Sequence, residues 1–367
     1  MSHRLRRTVA TTAVVALLPA LAACGGEESP GAAPSSSAGS ADASATPELS
    51  GTVTLVTHDS FALSEGVLES FEEETGLTVE QVAAGDAGTL VNQLVLTADS
   101  PLGDVVYGVD NTFASRAVEA DVFEPYTPAD LDPSATGLVD PALEGLTPID
   151  KGDVCLNVDT TWFEAEGVEP PSTLEDLTDP AYEDLTVVTN PATSSPGFAF
   201  LLATVDAFGE DGWQQYWADL SDNGLKVTDG WSDAYYVDFS GAGEGGERPI
   251  VLSYATSPAF TVTEDGSEST TEALLDTCFR QVEYAGVLAG TDNPDGARAL
   301  VDFLASAEVQ ADIPANMYMY PADDTVELPA EWEEFAPLAE EPFDVAPDEI
   351  AAHRDEWIEQ WTATVIG

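Results

Sequence analysis

The sequence predicts an α/β fold made of two doubly wound lobes that close on each other about a two-strand hinge. Three observations carry this. After Ser50, segments of strand-like alternation take turns with segments of helical spacing, the pattern of a mainly parallel sheet covered by helices. About 320 residues follow that point, more than one hydrophobic core normally serves. The alternating elements form two groups, with crossings near residues 150 and 280.

The first residues are not part of that fold. A basic start with Arg4, Arg6 and Arg7 leads into an apolar run from Val9 to Ala23, too short for a comfortable membrane span, and then Leu21-Ala22-Ala23-Cys24-Gly25. A Cys after Leu-Ala-Ala resembles the lipobox of bacterial lipoproteins, in which the Cys is acylated and becomes the new N-terminus. Residues 1–23 are therefore expected to be a signal peptide, with Cys24 as the lipidation site. From residue 24 to 49 the chain is Gly, Ser, Ala, Pro and Thr with almost no large apolar side chain, which predicts a flexible tether.

The first lobe is expected to occupy 50–150. Gly51 to His58 alternates as a strand. Val67, Leu68 and Phe71 recur at helical spacing up to Thr75-Gly76, and Leu77 to Ala83 is a strand again, so the opening is β-α-β. Thr89 to Ala98 reads as a helix, Asp104 to Val109 as a buried strand and Asn111 to Glu119 as a helix, before a turn-rich stretch from Pro125 to Pro133. The second lobe, 151–280, is expected to hold strands at Val154 to Val158, Leu185 to Thr189 and Pro249 to Tyr254, with a helix from Pro196 to Phe208. Phe279 to Val287 is the return strand. Helices over Asp295 to Ala307 and Pro347 to Trp361 complete 281–367, assigned to the first lobe.

Ten Lys and Arg stand against 68 Asp and Glu, a formal net charge of −58. Such an excess repels nucleic acid and anionic headgroups, excludes a nucleic-acid function, and raises the local concentration of cationic ligands; adaptation of the surface to salt explains it equally well. Beyond Cys24 only Cys155 and Cys278 remain, an even pair in an exported chain, so a disulfide is the default. With His3, His58 and His353 the only histidines, no Cys/His zinc site has suitable spacing, and no metal or cofactor is expected. No nucleophile elbow, P-loop or dinucleotide fingerprint occurs, and an enzyme is not expected.

Four segments combine turn chemistry with polar or aromatic side chains. Asp86 lies between Gly85 and Ala87-Gly88 before a helix, where it reads as a ligand carboxylate or as an N-cap. Thr193-Ser194-Ser195-Pro196-Gly197 joins a strand to a helix, with Pro in the first turn and free amides for an anion, or simple capping by Ser195. Trp231 follows Asp229-Gly230, and Tyr254 ends a strand; either is a π face for a ligand or a piece of core.

The blocks THDSFA (57–62), GDAGTLVNQL (85–94), DVVYGVDNT (104–112), NPATSSPGFA (190–199), VTDGWSDAYY (227–236), VLSYATSPAF (251–260) and IPANMYMYP (313–321) together resemble the thiamine-binding periplasmic proteins of thiamine ABC transporters, here in a lipoprotein version of actinobacterial type. The blocks keep the family's order and span nearly everything after Gly51. The resemblance implies a type II periplasmic-binding fold closing on thiamine or a thiamine phosphate. It also implies delivery to an ABC permease with its ATPase subunits, and a monomer held at the outer face of the cytoplasmic membrane by its lipid alone. Thiamine offers a cationic thiazolium, a flat aminopyrimidine and, in its esters, a phosphate, so the site needs π faces, a carboxylate and amides. On the family's pattern Asp86 bonds the aminopyrimidine edge, Ser194 binds ligand beside Ser195, and Trp231 and Tyr254 are pocket residues. Asp59, Ser60 and Tyr235 belong to the same blocks. The chain departs from the family at Tyr318, where Trp is usual, at Phe260, where Tyr is usual, and at His58, where the family has another aromatic. An imidazole beside a cationic ring is expected to favour its neutral form, so that affinity falls at acidic pH.

Two other readings remain at this point. The adjacent Tyr235 and Tyr236 resemble the tyrosine pair of ferric-binding proteins that share the fold. A thiaminase-like transferase would use Cys155 or Cys278 as its nucleophile.

Overall fold

The computed structural model describes residues 49–243 and 245–367. The expected signal peptide, the Cys24 lipidation site and the tether as far as residue 48 lie outside the described residues.

Among the described residues ten strands form one continuous sheet: β1 (Gly51–Thr57), β2 (Leu77–Ala83), β3 (Val105–Asp110), β4 (Leu146–Asp159), β5 (Thr186–Thr189), β6 (Lys226–Thr228), β7 (Ile250–Tyr254), β8 (Thr271–Ala273), β9 (Phe279–Val287) and β10 (Tyr320–Pro321). The helices are α1 (Val67–Thr75), α2 (Ala87–Leu96), α3 (Ala114–Glu119), α4 (Pro133–Thr136), α5 (Thr160–Glu166), α6 (Ser195–Asp222), α7 (Pro294–Leu304), α8 (Ala307–Asn316), α9 (Trp332–Phe335) and α10 (Pro347–Val365). Strand order is β2-β1-β3-β9-β4-β7-β5-β6, with β8 and β10 pairing β4 off that path.

The order explains the hydrophobic patterning. β2-β1-β3 is a parallel set at one end and β7-β5-β6 a parallel set at the other, as β-α-β crossovers require. Val53, Leu55 and Val56 of β1, Val105 and Val106 of β3, and Val187 and Val188 of β5 are fully buried, which matches strands covered by helices on both faces. Between the two sets, β9 and β4 run antiparallel to each other, in register from Leu146 opposite Gly286 to Val154 opposite Phe279. This pair joins the two parallel sets through the middle of the sheet.

Three features modify the expected elements. β4 starts at Leu146, eight residues before the apolar run Val154 to Val158, because a register shift between Pro148 and Asp150 absorbs a proline that cannot donate to the ladder. The helix expected to end at Phe208 does break there, at Gly209 with φ 66° and ψ 174°, but a second helical stretch continues to Asp222 and buries Trp213, Tyr216 and Trp217. α10 packs its Trp361 edge-on to Trp217 of α6, with ring centroids 5.4 Å apart, and its Arg354 Nη1 donates to Ser115 Oγ of α3 at 3.0 Å. The C-terminal helix therefore touches both halves of the molecule.

Cys155 of β4 and Cys278 just before β9 form a disulfide, and both are fully buried. Two residues before Cys155 on β4, the fully buried Asp153 takes its charge partner from Arg280 of β9 and a backbone bond from Ala339 N at 2.7 Å, so the hinge strands are pinned to the C-terminal segment.

Candidate functional site

The ends of β1, β2, β5, β6 and β7 and the hinge strand β9 frame a cleft open to solvent. The β1–β3 side supplies His58, Asp59, Ser60 and Asp86. The far side supplies Ser195, Trp231, Tyr235, Tyr254 and Phe260, and the loop before β10 supplies Tyr318. Ten of the eleven expected ligand residues thus line one cavity. Ser194 does not. It is fully buried behind the wall, and its hydroxyl donates to Thr189 Oγ1 at 3.0 Å.

The two sides are in contact. Thr89 N of α2 donates to Thr193 O at 2.9 Å, and Ser60 Oγ lies 3.3 Å from Ser232 Oγ. The sharpest bridge is Asp86. Its carboxylate caps α2 by accepting Ala87 N at 2.6 Å, and it also accepts Ser195 N at 3.3 Å and Trp231 N at 2.9 Å from across the cleft. The N-cap role and the cleft role therefore coexist in one side chain. Burial raises the Asp86 pKa, and the Trp231 amide, His58 and the Ser194 hydroxyl oppose that rise.

Aromatic rings make the walls. Trp231 stacks on Tyr235 with centroids 5.0 Å apart and planes 16° apart, and Tyr254 meets Trp231 edge-on at 6.3 Å. Trp231 Nε1 is fixed by Ser253 Oγ at 2.9 Å, so the indole is held as a rigid plane. Phe260 stands edge-on to Tyr318 at 5.1 Å. Tyr318 has φ 54°, a left-handed conformation that bulky residues rarely adopt and that costs on the order of 1–2 kcal/mol. Backbone strain at a cleft-lining aromatic is consistent with a position set by ligand contact.

The floor is acidic. Asp110, Glu283 and Asp150 lie side by side in cross-strand register on β3, β9 and β4. All three are buried, and the Tyr107 hydroxyl donates to Asp150 and, at 3.2 Å, to Glu283. Burial, reinforced by Glu283, raises Asp110 to about 7 and holds Asp150 well above the carboxylate range. Glu283 reaches the cleft, 3.6 Å from His58 Nε2. His58 Nδ1 accepts Ser60 N at 3.2 Å, which puts the single proton of the neutral ring on Nε2, facing Glu283. Burial lowers the His58 pKa, but the nearby Glu283, Asp86 and Asp59 outweigh it and the net shift is upward. Gly108 makes room for this ring. It has φ 95°, and a Cβ there would stand 2.1 Å from His58 Cδ2.

Three buried polar atoms on the cavity wall have no hydrogen-bond partner among the described residues: His58 Nε2, Tyr235 Oη and Thr256 Oγ1. Unsatisfied groups gathered in one concave, aromatic cavity mark a binding site. Glu283, Thr256, Ser257, Asn316, Met317 and Met319 line it without having been singled out from the sequence. Glu283 carried a signal, since a lone acid inside the apolar run FRQVEYAGV has to face something polar. The others did not. Cys155 and Cys278 are outside the cavity and bonded to each other, so neither offers a thiol to a bound molecule. Tyr235 and Tyr236 both line the cavity, but burial raises both phenols, which disfavours tyrosinate. Among the described residues no group of His, Cys, Asp and Glu could hold a metal ion.

Comparisons with known proteins agree with this geometry. The family model of bacterial extracellular solute-binding proteins matches residues 100–339. The thiamine-binding periplasmic protein of Salmonella typhimurium is 30% identical over 326 residues, covering 85% of this chain and 93% of the relative. A solved periplasmic thiamin binding protein superposes with a TM-score of 0.75 at 29% identity, covering 86% of this chain and 96% of its own. Iron-bound HitA from Pseudomonas aeruginosa shares the fold, with a TM-score of 0.64 at 21% identity over 84% of this chain and 99% of its own. The type II periplasmic-binding architecture expected from the sequence is the one observed.

Proposed function

The chain belongs to the bacterial extracellular solute-binding proteins, and from that premise we propose that it captures thiamine outside the cytoplasmic membrane and hands it to an ABC importer. The observation that carries this is the pairing of rigid aromatic walls with a carboxylate floor. Trp231, Tyr254, Phe260 and Tyr318 offer faces and edges for flat rings, while Asp86 and Glu283 offer negative charge to a thiazolium and acceptors to an amino group. The names of the relatives at 30% identity point to the same vitamin.

In this reading residues 50–150 and 281–367 form one lobe and 151–280 the other, with β4 and β9 as the hinge and α10 strapped across both. Ligand that touches Asp86 on one lobe and Trp231 on the other favours the closed form because it has fewer contacts in the open one. The protein binds and releases without chemistry, works as a monomer, and is tethered through a lipid on Cys24. The permease and ATPase subunits are its partners.

Calorimetric titration of the full chain with thiamine tests the proposal, with ferric citrate as the competing case. One-to-one binding below the micromolar range is the expected result. Heat from iron alone, with none from thiamine, would transfer the site to Tyr235 and Tyr236.

A further inference from the structure

We propose that Met317 is an oxidation site: conversion of its thioether to a sulfoxide by a peroxide displaces the loop 59–62 and weakens ligand binding. Only the part that concerns the ligand rests on the thiamine reading above.

The sequence holds three methionines, and Met1 belongs to the expected signal peptide. The other two, Met317 and Met319, both line the cleft, while the sulfurs of Cys155 and Cys278 are joined in a disulfide. Thioether sulfur among the described residues is therefore confined to the ligand cavity. The two methionines are not equivalent. Met319 is 3% exposed and lies tight against Gly152 of β4, where an added Cβ would stand 2.8 Å from its Cε. Met317, directly after α8, is half-buried on the cavity wall, within reach of a small oxidant. Oxidation follows exposure, so Met317 reacts first.

Met317 also holds a loop in place. Its Sδ accepts Ala62 N at 3.1 Å, and the residues before Ala62 include His58, Asp59 and Ser60 of the cleft wall. On either side of Ala62 that loop is anchored. Asp59 N donates to Gly85 O at 3.0 Å, and Ser64 N donates to Asp312 Oδ2 at 2.7 Å. Between the anchors, Phe61 packs on Tyr107 with ring centroids 4.9 Å apart, and Ser60 Oγ lies 3.3 Å from Ser232 Oγ across the cleft.

In the reaction a sulfur lone pair attacks one peroxide oxygen, the O–O bond breaks and an S–O bond forms. The proton on that oxygen passes to the departing hydroxide, which leaves as water; the thioether has lost two electrons and the peroxide has gained them. The new oxygen is a far better acceptor than sulfur, and the Ala62 N–H is the donor beside it. An N–H···O bond alone spans about 2.7–3.2 Å, so no oxygen fits between atoms that are 3.1 Å apart. Either Ala62 moves outward or the side chain swings into the cleft. With Asp59 and Ser64 anchored, the first movement falls on Ser60 and Phe61, and the second puts a polar S–O group in the ligand's space. Both lower affinity.

The full chain treated with hydrogen peroxide tests this, with its peptides mapped by mass. Met317 is expected to become one oxygen heavier before Met319 does. Met319 first, or both together, overturns the proposal. Hydrogen exchange of the 59–64 amides should rise in protein oxidised at Met317, a readout that needs no ligand, and unchanged exchange overturns the displacement. Thiamine affinity by calorimetry should fall on the order of tenfold, the worth of about one misplaced contact. Unchanged affinity at full oxidation overturns the proposal. Silence of untreated protein toward thiamine overturns the thiamine reading instead, and the mass map and exchange then decide the modification by themselves. In Met317→Leu the loss on peroxide treatment should vanish, whatever the variant's starting affinity, while Met319→Leu should keep the wild-type loss. A loss that persists in Met317→Leu assigns the damage to Met319 or Trp231 and overturns the proposal.

Discussion

Replacing Glu283 by Gln should move ligand affinity and folding stability in opposite directions. Glu283 is 4% exposed, has Asp110 and Asp150 as its cross-strand neighbours, and opens on the cleft beside His58. A cation seated between the aromatic walls is within about 5 Å of that carboxylate. With an effective dielectric near 20, and a discount for the open mouth of the cleft, their attraction is about 2 kcal/mol, or roughly thirtyfold in Kd. Glu283→Gln keeps an acceptor for the Tyr107 hydroxyl, and Gln281, whose amide now faces the second Glu283 oxygen at 3.0 Å, can rotate to suit.

The same substitution removes the charge that, after burial, does most to raise Asp110 and Asp150. The ligand-free variant is therefore expected to melt higher than wild type at pH 7.5, by a few degrees for about 1 kcal/mol relieved. Calorimetry and thermal unfolding on the same preparation check both signs. Unchanged thiamine affinity would refute the charge argument. A melting point lowered together with affinity would mean that Glu283 is a structural partner whose repulsion has been misjudged.

Asp110, raised to about 7, titrates near 4 when unfolded, so the native state holds its proton between those values and stability falls as pH rises through that window, by up to roughly 4 kcal/mol. Asp110→Asn should abolish that loss, visible as a higher melting temperature at pH 8 and little change at pH 4. The net upward shift of His58 means that its proton competes with a bound cation, so thiamine affinity should drop as pH falls below neutrality; His58→Gln should flatten the profile measured by calorimetry between pH 5 and 8. Gly108→Ala, with φ 95° and a Cβ 2.1 Å from the imidazole, is expected to cost about 2–3 kcal/mol of stability in denaturant titration and to weaken binding as well, because His58 has to leave its place. Reducing the Cys155–Cys278 bond, which joins residues 123 apart, should lower stability by about 5 kcal/mol on a loop-entropy basis, with thiamine binding retained at low temperature because neither sulfur touches the cleft.

The fold was legible where patterning and burial agree. α1, β2 and β9 carry clear periodicity and occupy the residues the sequence marks out. Legibility failed where tertiary structure tolerates what local rules forbid. β4 runs through Pro148, Asp150 and Asp153 because a bulge accommodates the proline and Tyr107 and Arg280 answer the acids. Those partners lie at distant positions in the chain. The strands β6, β8 and β10 are three residues or shorter and have no period to read. At the site, aromatic residues on turns were readable because turn chemistry puts them at strand ends. Thr256, Asn316 and Met319 were not, since nothing local distinguishes a cleft-facing Thr or Met from a core one. Ser194 shows the opposite failure. The turn lies at the cleft, but Ser195 lines it while Ser194 is buried next to it with its hydroxyl on Thr189, and nothing local in the sequence separates the two serines.

The acids that obscured β4 also explain why the cleft suits a cation. Asp110, Glu283 and Asp150 stand on three neighbouring strands at the hinge, where side chains from both halves of the sheet converge. Without a cation, the protein answers their repulsion with protons: Asp110 titrates near neutrality, Asp150 well above the carboxylate range, and the Tyr107 hydroxyl supplies a hydrogen bond to two of them. Of the three acids Glu283 lines the cleft, so a cation bound there acts on the group through it. Burying uncompensated carboxyls is costly to the fold, and the cost falls when a flat cation occupies the cleft, so the same residues that destabilise the empty protein give the ligand its leverage on closure.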